Sequence, residues 1–541
     1  IYQSLGIASA KVGVNRSINW LNENILTWNK TFKDIHSLNI LGGFTIQRNN
    51  VESVTGASSN FVNDVMKYNN LGAGSIYDKP ESSATQWSLM SYLARINYSL
   101  YDRYLFSVNG RVDGSSRFGG NNKYGFFPSG SVAWRISEEG FMEPVKAVIN
   151  NLKLRTSYGF TGNTEIGVYE SLATLGSNSW TIGNQLVSGF YPNRIPNPDL
   201  KWEKTGQFDI GFDLGLFNNR LRLTADYYYK KTTDLLYNVA IPSASGYDSM
   251  LKNIGSVQNK GYELSIESDN LSGAFSWTTA FNISFNRNKV LELGGETYKD
   301  VGTYDDHLKT SDIRRLIVGQ PIGVFYGYRF DGIFQNEAEC AQQTSSPSPI
   351  GVGLRRYKDL NGDGKIDATN DREILGDANP KFFGGMTNTF AYKGFELNVF
   401  LQYSYGNKIF NYNAMELESP TGGQNVYQDL VNRWTPTNPS NEYQKATTNR
   451  NNIVSDRFIE DGSFLKLKTV SLSYSFPKLN WKHIGGLRLY VTGQNLLTWT
   501  KYRGYDPEVS YRGASTLEAG EDFGGYPQAR TFMFGIKLDI K

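Results

Sequence analysis

The residues with the clearest chemistry lie in one short stretch near the middle of the chain, DLNGDGKID at 359–367. Side-chain oxygens at its first, third, fifth and ninth positions, with glycine at the sixth, are typical of a calcium-binding loop. The side chains that carry these oxygens are Asp359, Asn361, Asp363 and Asp367. Lys365, at the seventh position, would offer its backbone carbonyl, whereas the twelfth position is Asn370 and not the usual Glu. The pattern predicts a structural calcium ion, and the alternative is a solvated turn in which Asp and Asn bind their own backbone.

Aromatic residues in polar loops form a second set of candidates. Rings in such loops could bind a sugar or a peptide by stacking, beside amide and hydroxyl groups that form hydrogen bonds. The predicted substrate-binding residues are Trp180, Tyr191, Tyr412, Tyr427, Tyr502, Tyr505 and Tyr511. The alternative for each of them is packing against a partner, another domain or a neighbouring loop.

Other chemistries are excluded by composition and spacing. Cys340 is the single cysteine, which excludes a disulfide framework and cysteine zinc sites, and the three histidines are scattered. The acid pairs Glu138-Glu139 and Asp305-Asp306 are adjacent within loops, so nothing positions them as glycosidase carboxylates. Lys plus Arg is 55 and Asp plus Glu is 52, a balance that excludes nucleic-acid binding by bulk charge. We therefore expect no catalytic residues, no required cofactor and no nucleic-acid partner.

The elements that would position these loops follow from an alternation of apolar and polar residues. Phe208, Ile210 and Phe212 would lie on one face of a strand. Asp209 and Asp213 would lie on the other, because successive strand side chains point to opposite faces. About 16 such segments of about 10 residues occur, the length that a tilted bilayer-crossing strand needs. No stretch reaches the ~18 consecutive apolar residues of a membrane-spanning helix.

Short and long connections alternate between these segments. Tight turns are predicted near 34–35, 101–102, 218–219, 272–273 and 393–394, and a β-bulge near Lys468. The long polar loops are predicted at about 50–87, 114–125, 160–206, 230–257, 288–381, 406–463 and 497–528. Short turns at one rim and long loops at the other are the arrangement of a transmembrane, antiparallel, up-and-down β-barrel. Aromatic girdles would account for the 14% aromatic content, and a soluble all-β protein is the alternative.

Seven blocks of sequence carry a family resemblance. They are GRVDGSSRFGGNNKYGFFPSGSVAWRISEEGFM at 110–142, LKLRTSYGFTGNTEIG at 152–167, NPDLKWEKTGQFDIGFDLGLFNNRLRLTADYYYKKTTDLL at 197–236, NIGSVQNKGYEL at 253–264, DLNGDGKID at 359–367, RFIEDGSFLKLKTVSLSYSFP at 457–477 and GQNLLTWTKYRGYDPEV at 493–509. The chain resembles the C-terminal part of the SusC/RagA-type TonB-dependent outer-membrane transporters, and the resemblance spans nearly all of residues 1–541.

The resemblance implies a barrel of about 22 strands with a plug domain inside it. It also implies a SusD-like surface lipoprotein as a lid, and import of oligosaccharides or peptides driven by TonB–ExbB–ExbD through the plug. Nothing in this chain resembles the plug or the first strands, so we expect that Ile1 is not the natural N-terminus and that a missing part or a second chain supplies them. Family members usually end on an aromatic residue, and we expect that one is missing after Lys541.

Three functions remain open from the sequence. The first is an active-transport channel of the Gram-negative outer membrane, embedded in lipid and partnered as above. The second is a plug-free surface barrel for adhesion or passive diffusion. The third is a soluble β-rich carbohydrate-active protein.

Overall fold

The computed structural model describes residues 8–63, 65–247, 249–302, 313–419, 425–447, 452–477, 484–513 and 515–540. The predicted acid pair at 305–306 and the terminal positions Ile1 and Lys541 lie outside these residues. Strands dominate the described chain, which confirms the all-β prediction. Within those ranges, no helix combines the length and the apolar character that crossing a membrane requires.

In the part of the chain that the structure describes, fifteen long strands, called the wall strands below, carry the alternating pattern. They are β1 (Ser9–Phe32), β2 (His36–Ser59), β3 (Glu81–Leu100), β4 (Tyr104–Ser115), β5 (Tyr124–Arg135), β6 (Ile149–Asn163), β7 (Glu203–Leu216), β8 (Leu221–Thr233), β9 (Ser256–Leu271), β10 (Phe275–Glu292), β11 (Phe382–Tyr392), β12 (Phe395–Tyr405), β13 (Phe464–Ser475), β14 (Ile484–Thr500) and β15 (Thr531–Ile540). The short strand Ile76–Tyr77 pairs with the end of β2.

The connections contain shorter elements of their own. Short strands are Thr174–Ile182, Gln185–Arg194, Leu236–Ala240, Ser249–Asn253, Tyr298–Val301, Arg314–Ile317, Val324–Tyr328, Phe330–Ile333, Arg355–Tyr357, Arg372–Asp377, Lys408–Asn411, Ile459–Asp461 and Glu521–Asp522. The α-helices are Glu337–Cys340 and Tyr412–Leu417, and the 3-10 turns are Lys67–Asn69, Leu71–Ala73, Gly120–Asn122, Ile136–Glu138, Gly140–Val145, Ser243–Ser245, Gln428–Asn432 and Asp456–Phe458.

The chain divides into two compact units. The first comprises residues 1–134, 157–207 and 232–255, and the second comprises the remainder. In the first unit β1 to β5 pair antiparallel in chain order, with β1 and β2 matched from Ser9↔Ser59 to Phe32↔His36. In the second unit β9 to β15 pair antiparallel in the same way. Strands β6, β7 and β8 contribute residues to both units.

The wall strands expose their apolar face. In the first unit Val108 is 62% exposed and Phe106 is 41% exposed, whereas the polar residue Asp113, on the other face of β4, is buried. In the second unit Phe208, Ile210 and Phe212 of β7 are all exposed. An apolar face turned outward is the reverse of a water-soluble sheet, and it is what a lipid-facing wall requires.

The predicted turns and the predicted bulge are confirmed. Tyr101 and Asp102 have φ of 54° and 54°, and Asn218 and Asn219 have 58° and 59°, the left-handed conformation of tight hairpin turns. The bulge is at Lys468, because the register shifts between Leu467 and Thr469 against both neighbouring strands.

The predicted end of β2 and start of β3 are wrong. The pairing of β2 with β3 runs as far as Thr55↔Glu81, so the connection predicted at about 50–87 is shorter. Alternation fades where a strand leaves lipid, because either face can then be polar. The backbone hydrogen bonds continue nonetheless, and periodicity alone places the strand end too early.

Candidate functional site

In the first unit, three of the resemblance blocks pack together at the loop ends of the wall strands. Phe118, Leu200 and Trp202 are buried in one apolar cluster with Phe127 and Ile166. Gly119 N donates to the Leu200 carbonyl oxygen at 3.2 Å. A Cβ on Gly119 would lie 2.1 Å from the Pro198 carbonyl oxygen, so only glycine allows this close approach. The three blocks therefore contain these apolar residues and this glycine because the blocks pack against one another.

The hairpin Thr174–Ile182/Gln185–Arg194 of the first unit presents two of the predicted aromatic residues. Trp180 is 55% exposed and Tyr191 is 42% exposed. A Cβ built on Gly189 would lie 2.6 Å from Trp180 Nε1, and one on Gly176 would lie 2.5 Å from Tyr191 Cζ. Each ring therefore covers a glycine of the opposite strand. The hairpin has no acidic or basic side chain from Thr174 to Asn193, so it offers aromatic and amide groups only.

In the second unit, the long connections build a compact apolar cluster, called the loop core below. Its buried members are Ile313, Phe325, Phe410, Tyr412, Ala414, Met415, Val454 and Phe458. Phe410 is fully buried, and its ring packs edge-on against Tyr412 at 4.8 Å between centroids. Residues from three separate long connections meet here, since Phe523 also contacts Tyr412. The loop core is thus an ordinary globular core made from loops.

Buried charges surround the loop core, and Glu418 is their centre. The side chains of Glu418 and Arg355 are each 1% exposed. The Glu418 carboxylate contacts Arg457 at 2.8 Å and Arg503 at 3.3 Å, and Arg355 at 4.0 Å. Arg503 also binds Glu460 at 2.9 Å. Each buried charge therefore has a counter-charge, as an interior with a low dielectric constant requires.

A second buried pair joins the connection after β10 to the connection before β15. Arg314 Nε lies 2.9 Å from Glu521 Oε1, and both side chains are 1% exposed. Arg314 also donates to the carbonyl oxygens of Gly323 and Ala519. Burial lowers the pKa of Arg314 and raises the pKa of Glu521, because the apolar surroundings disfavour both charges. The opposite charge of each partner counters that effect.

A third contact fastens the last long connection to a wall strand. Lys466 of β13 is 2% exposed at its side chain and lies 2.6 Å from both Asp506 and Glu508. Lys468, the bulge residue, lies 2.9 Å from Glu508. Burial alone would raise the pKa of Glu508, but hydrogen bonds from the two lysines outweigh burial and hold that pKa below its ordinary value. We call this contact the β13 latch.

The five predicted aromatic residues of the second unit divide by burial. Tyr412 and Tyr502 are 3% and 5% exposed, so neither has a ring face free for a ligand. The Tyr502 hydroxyl donates to Asp522 at 2.5 Å, and burial together with this bond raises its pKa. Tyr427 packs against the loop core. Tyr505 and Tyr511 are 82% and 41% exposed, and they remain able to contact a ligand.

The calcium-type segment binds its own backbone. Asp359 accepts hydrogen bonds from Gly362 N and Gly364 N at 2.6 and 2.7 Å. Asp363 accepts one from Lys365 N at 2.8 Å. Asp367 accepts hydrogen bonds from two backbone N–H groups, and these bonds lower its pKa. The side-chain amide of Asn361 donates a hydrogen bond to Asp363. Calcium would have to compete with these hydrogen bonds for the same side-chain oxygens. In the described ranges, no three His, Cys, Asp or Glu residues gather as a metal site. Calcium binding stays a prediction.

Sequence reasoning missed the charged residues that hold the loops. Arg457, Lys466 and Glu508 lie inside resemblance blocks, so the blocks were a usable signal for them. Glu418 and Arg355 lie outside every block, and only the fold brings them together.

Comparison with known proteins gives the family. The family model "TonB dependent receptor-like, beta-barrel" matches residues 8–333. The chain belongs to this family. TonB-dependent receptor P3 of Formosa agariphila is 40% identical over 96% of this chain and 52% of its own length. TonB-dependent receptor SusC of Bacteroides thetaiotaomicron is 32% identical over 84% of this chain and 44% of its own length.

Solved structures agree with this assignment. The RagAB peptide transporter is 26% identical, with a TM-score of 0.84 over 99% of this chain and 57% of that chain. These matches confirm the SusC/RagA-type resemblance and the transmembrane β-barrel fold class of this chain. The chain spans about half the length of the curated relatives it matches.

Proposed function

We propose that this chain forms the wall and the long extracellular loops of an outer-membrane importer for oligosaccharides or peptides. The observation that carries the proposal is the pair of faces on the wall strands. Exposed apolar residues such as Ile210 suit lipid, and the opposite face carries charges for a wet lumen. Arg155 on that face lies 2.7 Å from Asp226 and 3.4 Å from Asp213. The wall would thus enclose a polar path without performing chemistry on the cargo.

A SusD-like surface lipoprotein would close the loop side, and TonB–ExbB–ExbD would supply energy through a plug. Membership in the family of TonB dependent receptor-like barrels supports TonB, and the similarity to SusC and to the RagAB transporter supports the lipoprotein. The exposed rings of Trp180, Tyr191, Tyr505 and Tyr511 are the proposed first contacts for cargo. The loop core is a packed, ion-paired body, so gating in this proposal belongs to the lid and the plug.

The experiment is gene deletion followed by growth on single oligosaccharides and peptides. We expect growth to fail on one class of cargo, to return with the wild-type gene, and to fail again in a strain without TonB. Uptake that continues without TonB would support passive diffusion instead. No growth defect on any cargo would contradict import altogether.

The calcium prediction has a test of its own. Terbium luminescence and calorimetry with the complete protein would detect a cation at 359–367, with Asp359→Ala, which removes the ligand at the first position, as the variant. We expect a calcium signal that this substitution abolishes. An equal signal in both proteins, or none, would leave the segment as a self-bonded turn.

A further inference from the structure

Four basic residues lie together on the apolar face of the wall strands in the second unit, and they are called the basic patch below. They are Lys231 of β8, Lys260 of β9, and Arg287 and Lys289 of β10, and all four are exposed. In the pairing of β9 with β10, Lys260 lies directly opposite Arg287 and Gln258 lies opposite Lys289. The Tyr229 hydroxyl of β8 donates to Gln258 Oε1 at 3.4 Å. Lys231 follows Tyr229 by two residues on the same face, so it belongs to the same patch.

The basic patch begins where the apolar face of β10 ends. Phe275, Phe281 and Phe285 lie on that face, and Arg287 is the next residue on it. The segment from Phe275 to Phe285 rises about 25 Å in a strand tilted by about 40°, which is the height of the outward apolar band of a membrane barrel. Because Phe275 follows the tight turn at 272–273, Arg287 lies at the boundary of this band on the side of the long loops.

Aromatic rings lie immediately below the basic patch. Tyr262 is 62% exposed, and its ring centroid is 5.0 Å from that of Tyr227. The Phe285 ring lies 5.9 Å from the Phe382 ring. Rings at this level are typical of the interface between membrane and water. The four basic residues therefore lie at the level of the lipid headgroups.

The basic patch has no counter-charge within the described part of the chain, where none of its four side chains forms an ion pair with a carboxylate. Arg287 Nη1 donates to the carbonyl oxygens of Asn286 and Lys381 at 2.8 and 2.9 Å, so one end of the guanidinium is fixed. Like charges directly opposite on neighbouring strands repel each other and destabilise the pair. An anion bound between Lys260 and Arg287 would remove this repulsion.

Another pair of like charges shows how the chain itself can supply the counter-charge. Arg488 of β14 lies opposite Lys537 of β15, on the polar face of these strands. Glu396 Oε1 lies 2.7 Å from Arg488 Nη2, so a carboxylate accompanies this pair. The pair Lys260–Arg287 lies on the apolar face instead, where the neighbours are lipids. Its counter-charge must therefore come from outside the described chain.

We propose that the basic patch binds the phosphate groups of a phosphorylated lipid in the outer leaflet of the membrane. Nε and Nη2 of Arg287 would donate to one phosphate, because a guanidinium binds phosphate through paired N–H groups. Lys260 and Lys289 would act as point charges beside it. The acyl chains would continue over Tyr262 and Phe285.

A lipid fits this position better than a soluble anion or the surface lipoprotein, because the patch continues the lipid-facing band outward on the same face. The inference rests on the proposed placement of the wall in the outer membrane, with the long loops outside. It goes beyond import, since it assigns a lipid ligand to the loop-side end of β8, β9 and β10.

The test is native mass spectrometry of the complete protein in detergent, titrated with lipid. The probes are lipid A with its phosphates, the same lipid without them, and phosphatidylcholine, with inorganic phosphate as a competitor. Lys260→Gln with Arg287→Gln removes the two opposed charges. Lys289→Glu reverses one charge at an exposed position, so it keeps the test open should the double variant misfold. Arg488→Gln with Lys537→Gln is the matched control, because it removes an arginine and a lysine from the polar face.

We expect the wild type to bind the phosphorylated lipid and to bind the other two lipids at least about tenfold more weakly. Lys260→Gln with Arg287→Gln should weaken the affinity for the phosphorylated lipid about tenfold or more, because hydrogen bonds to a charged group are lost. Lys289→Glu should weaken it about threefold or more through repulsion of the phosphate. The control should stay within about twofold of the wild type.

Four results would overturn the lipid site. They are equal binding of the lipid with and without phosphates, an equal loss in the control, displacement by inorganic phosphate at the concentration of the lipid itself, and loss of the lipoprotein partner from the double variant while lipid binding is unchanged. All four would leave the importer proposal intact. Failure of that proposal would instead appear as growth and uptake that do not change on deletion of the gene.

Discussion

The wall strands and the loop core use opposite distributions of apolar surface. In β7 the apolar residues are exposed, and Ile210 is one of them. In the loop core Phe325 and Phe410 are fully buried. The wall strands are held by ladders between neighbours in sequence, whereas Arg314 and Glu521 meet across 207 residues. The same chain therefore satisfies two solvents, with lipid around the wall and water around the loops.

The difference teaches where charges can be tolerated. On the wall, ion pairs such as Arg222 with Glu267 are about half exposed. Their contribution is about 0–1 kcal/mol, because water screens them. In the loop core the pairs are buried, so each charge depends on its partner. The four predictions below break or sharpen this contrast.

Glu418→Ala should have the largest effect. It removes the counter-charge of Arg355, Arg457 and Arg503 at a site only 1% exposed. Breaking a buried pair typically costs about 3–5 kcal/mol. Hydrogen–deuterium exchange should show lost protection at 406–419 and 452–463, with the wall peptides unchanged. Unchanged protection around the loop core would refute the role given to Glu418.

Ile210→Arg comes next. An arginine on the lipid face near the bilayer middle costs about 2–4 kcal/mol, so unfolding in lipid vesicles should shift accordingly. Thr224→Arg, on the polar face beside Asp213, is the control and should be nearly neutral. Spin labels at Phe208, Ile210 and Phe212 should report acyl chains. An aqueous environment at these positions would remove the basis for a membrane wall.

The β13 latch should weaken in acid. The pKa of Glu508 is held below its ordinary 4.5, so its ion pairs stabilise the latch fully above that pH. The stabilisation is lost as pH falls through the lower, folded-state value. The amide protection factors of residues 501–513, which correct the exchange rate for its intrinsic dependence on pH, should be constant from pH 7 downward and fall only below the ordinary value. In Lys466→Met, the loss of amide protection should begin at a higher pH than in the wild type. Identical dependence on pH in the two proteins would argue against the latch.

Glu267→Ala should have the smallest effect. Its partner Arg222 is 45% exposed, so the loss should be about 0.2–1 kcal/mol. Chemical denaturation of this variant and of Glu418→Ala compares the unfolding free energy lost with an exposed ion pair and with a buried one. A loss as large as that of Glu418→Ala would mean that exposure does not determine how much these ion pairs contribute to stability.

Sequence patterns were sufficient for the faces, turns and bulge of the wall strands, but not for the end of β2 and the start of β3. The face of Phe208, the turn at Asn218-Asn219 and the bulge at Lys468 are all as predicted, because each depends on neighbours in sequence. The predicted site residues fared differently. Tyr412 and Tyr505 both lie in predicted polar loops, yet Tyr412 is buried in the loop core and Tyr505 is 82% exposed.

By itself, then, the sequence determined the strand faces, the tight turns and the family. The strand faces follow from the two-residue period of apolar residues, the turns from residues that are adjacent in sequence, and the family from the seven sequence blocks. Each of these can be identified from the sequence alone. Only the tertiary structure decided that Glu418 gathers three arginines. The long connections bring together residues that are far apart in the chain. Burial decides how much an ion pair contributes to stability and whether an aromatic ring can contact a ligand, and burial is known only once these residues are assembled.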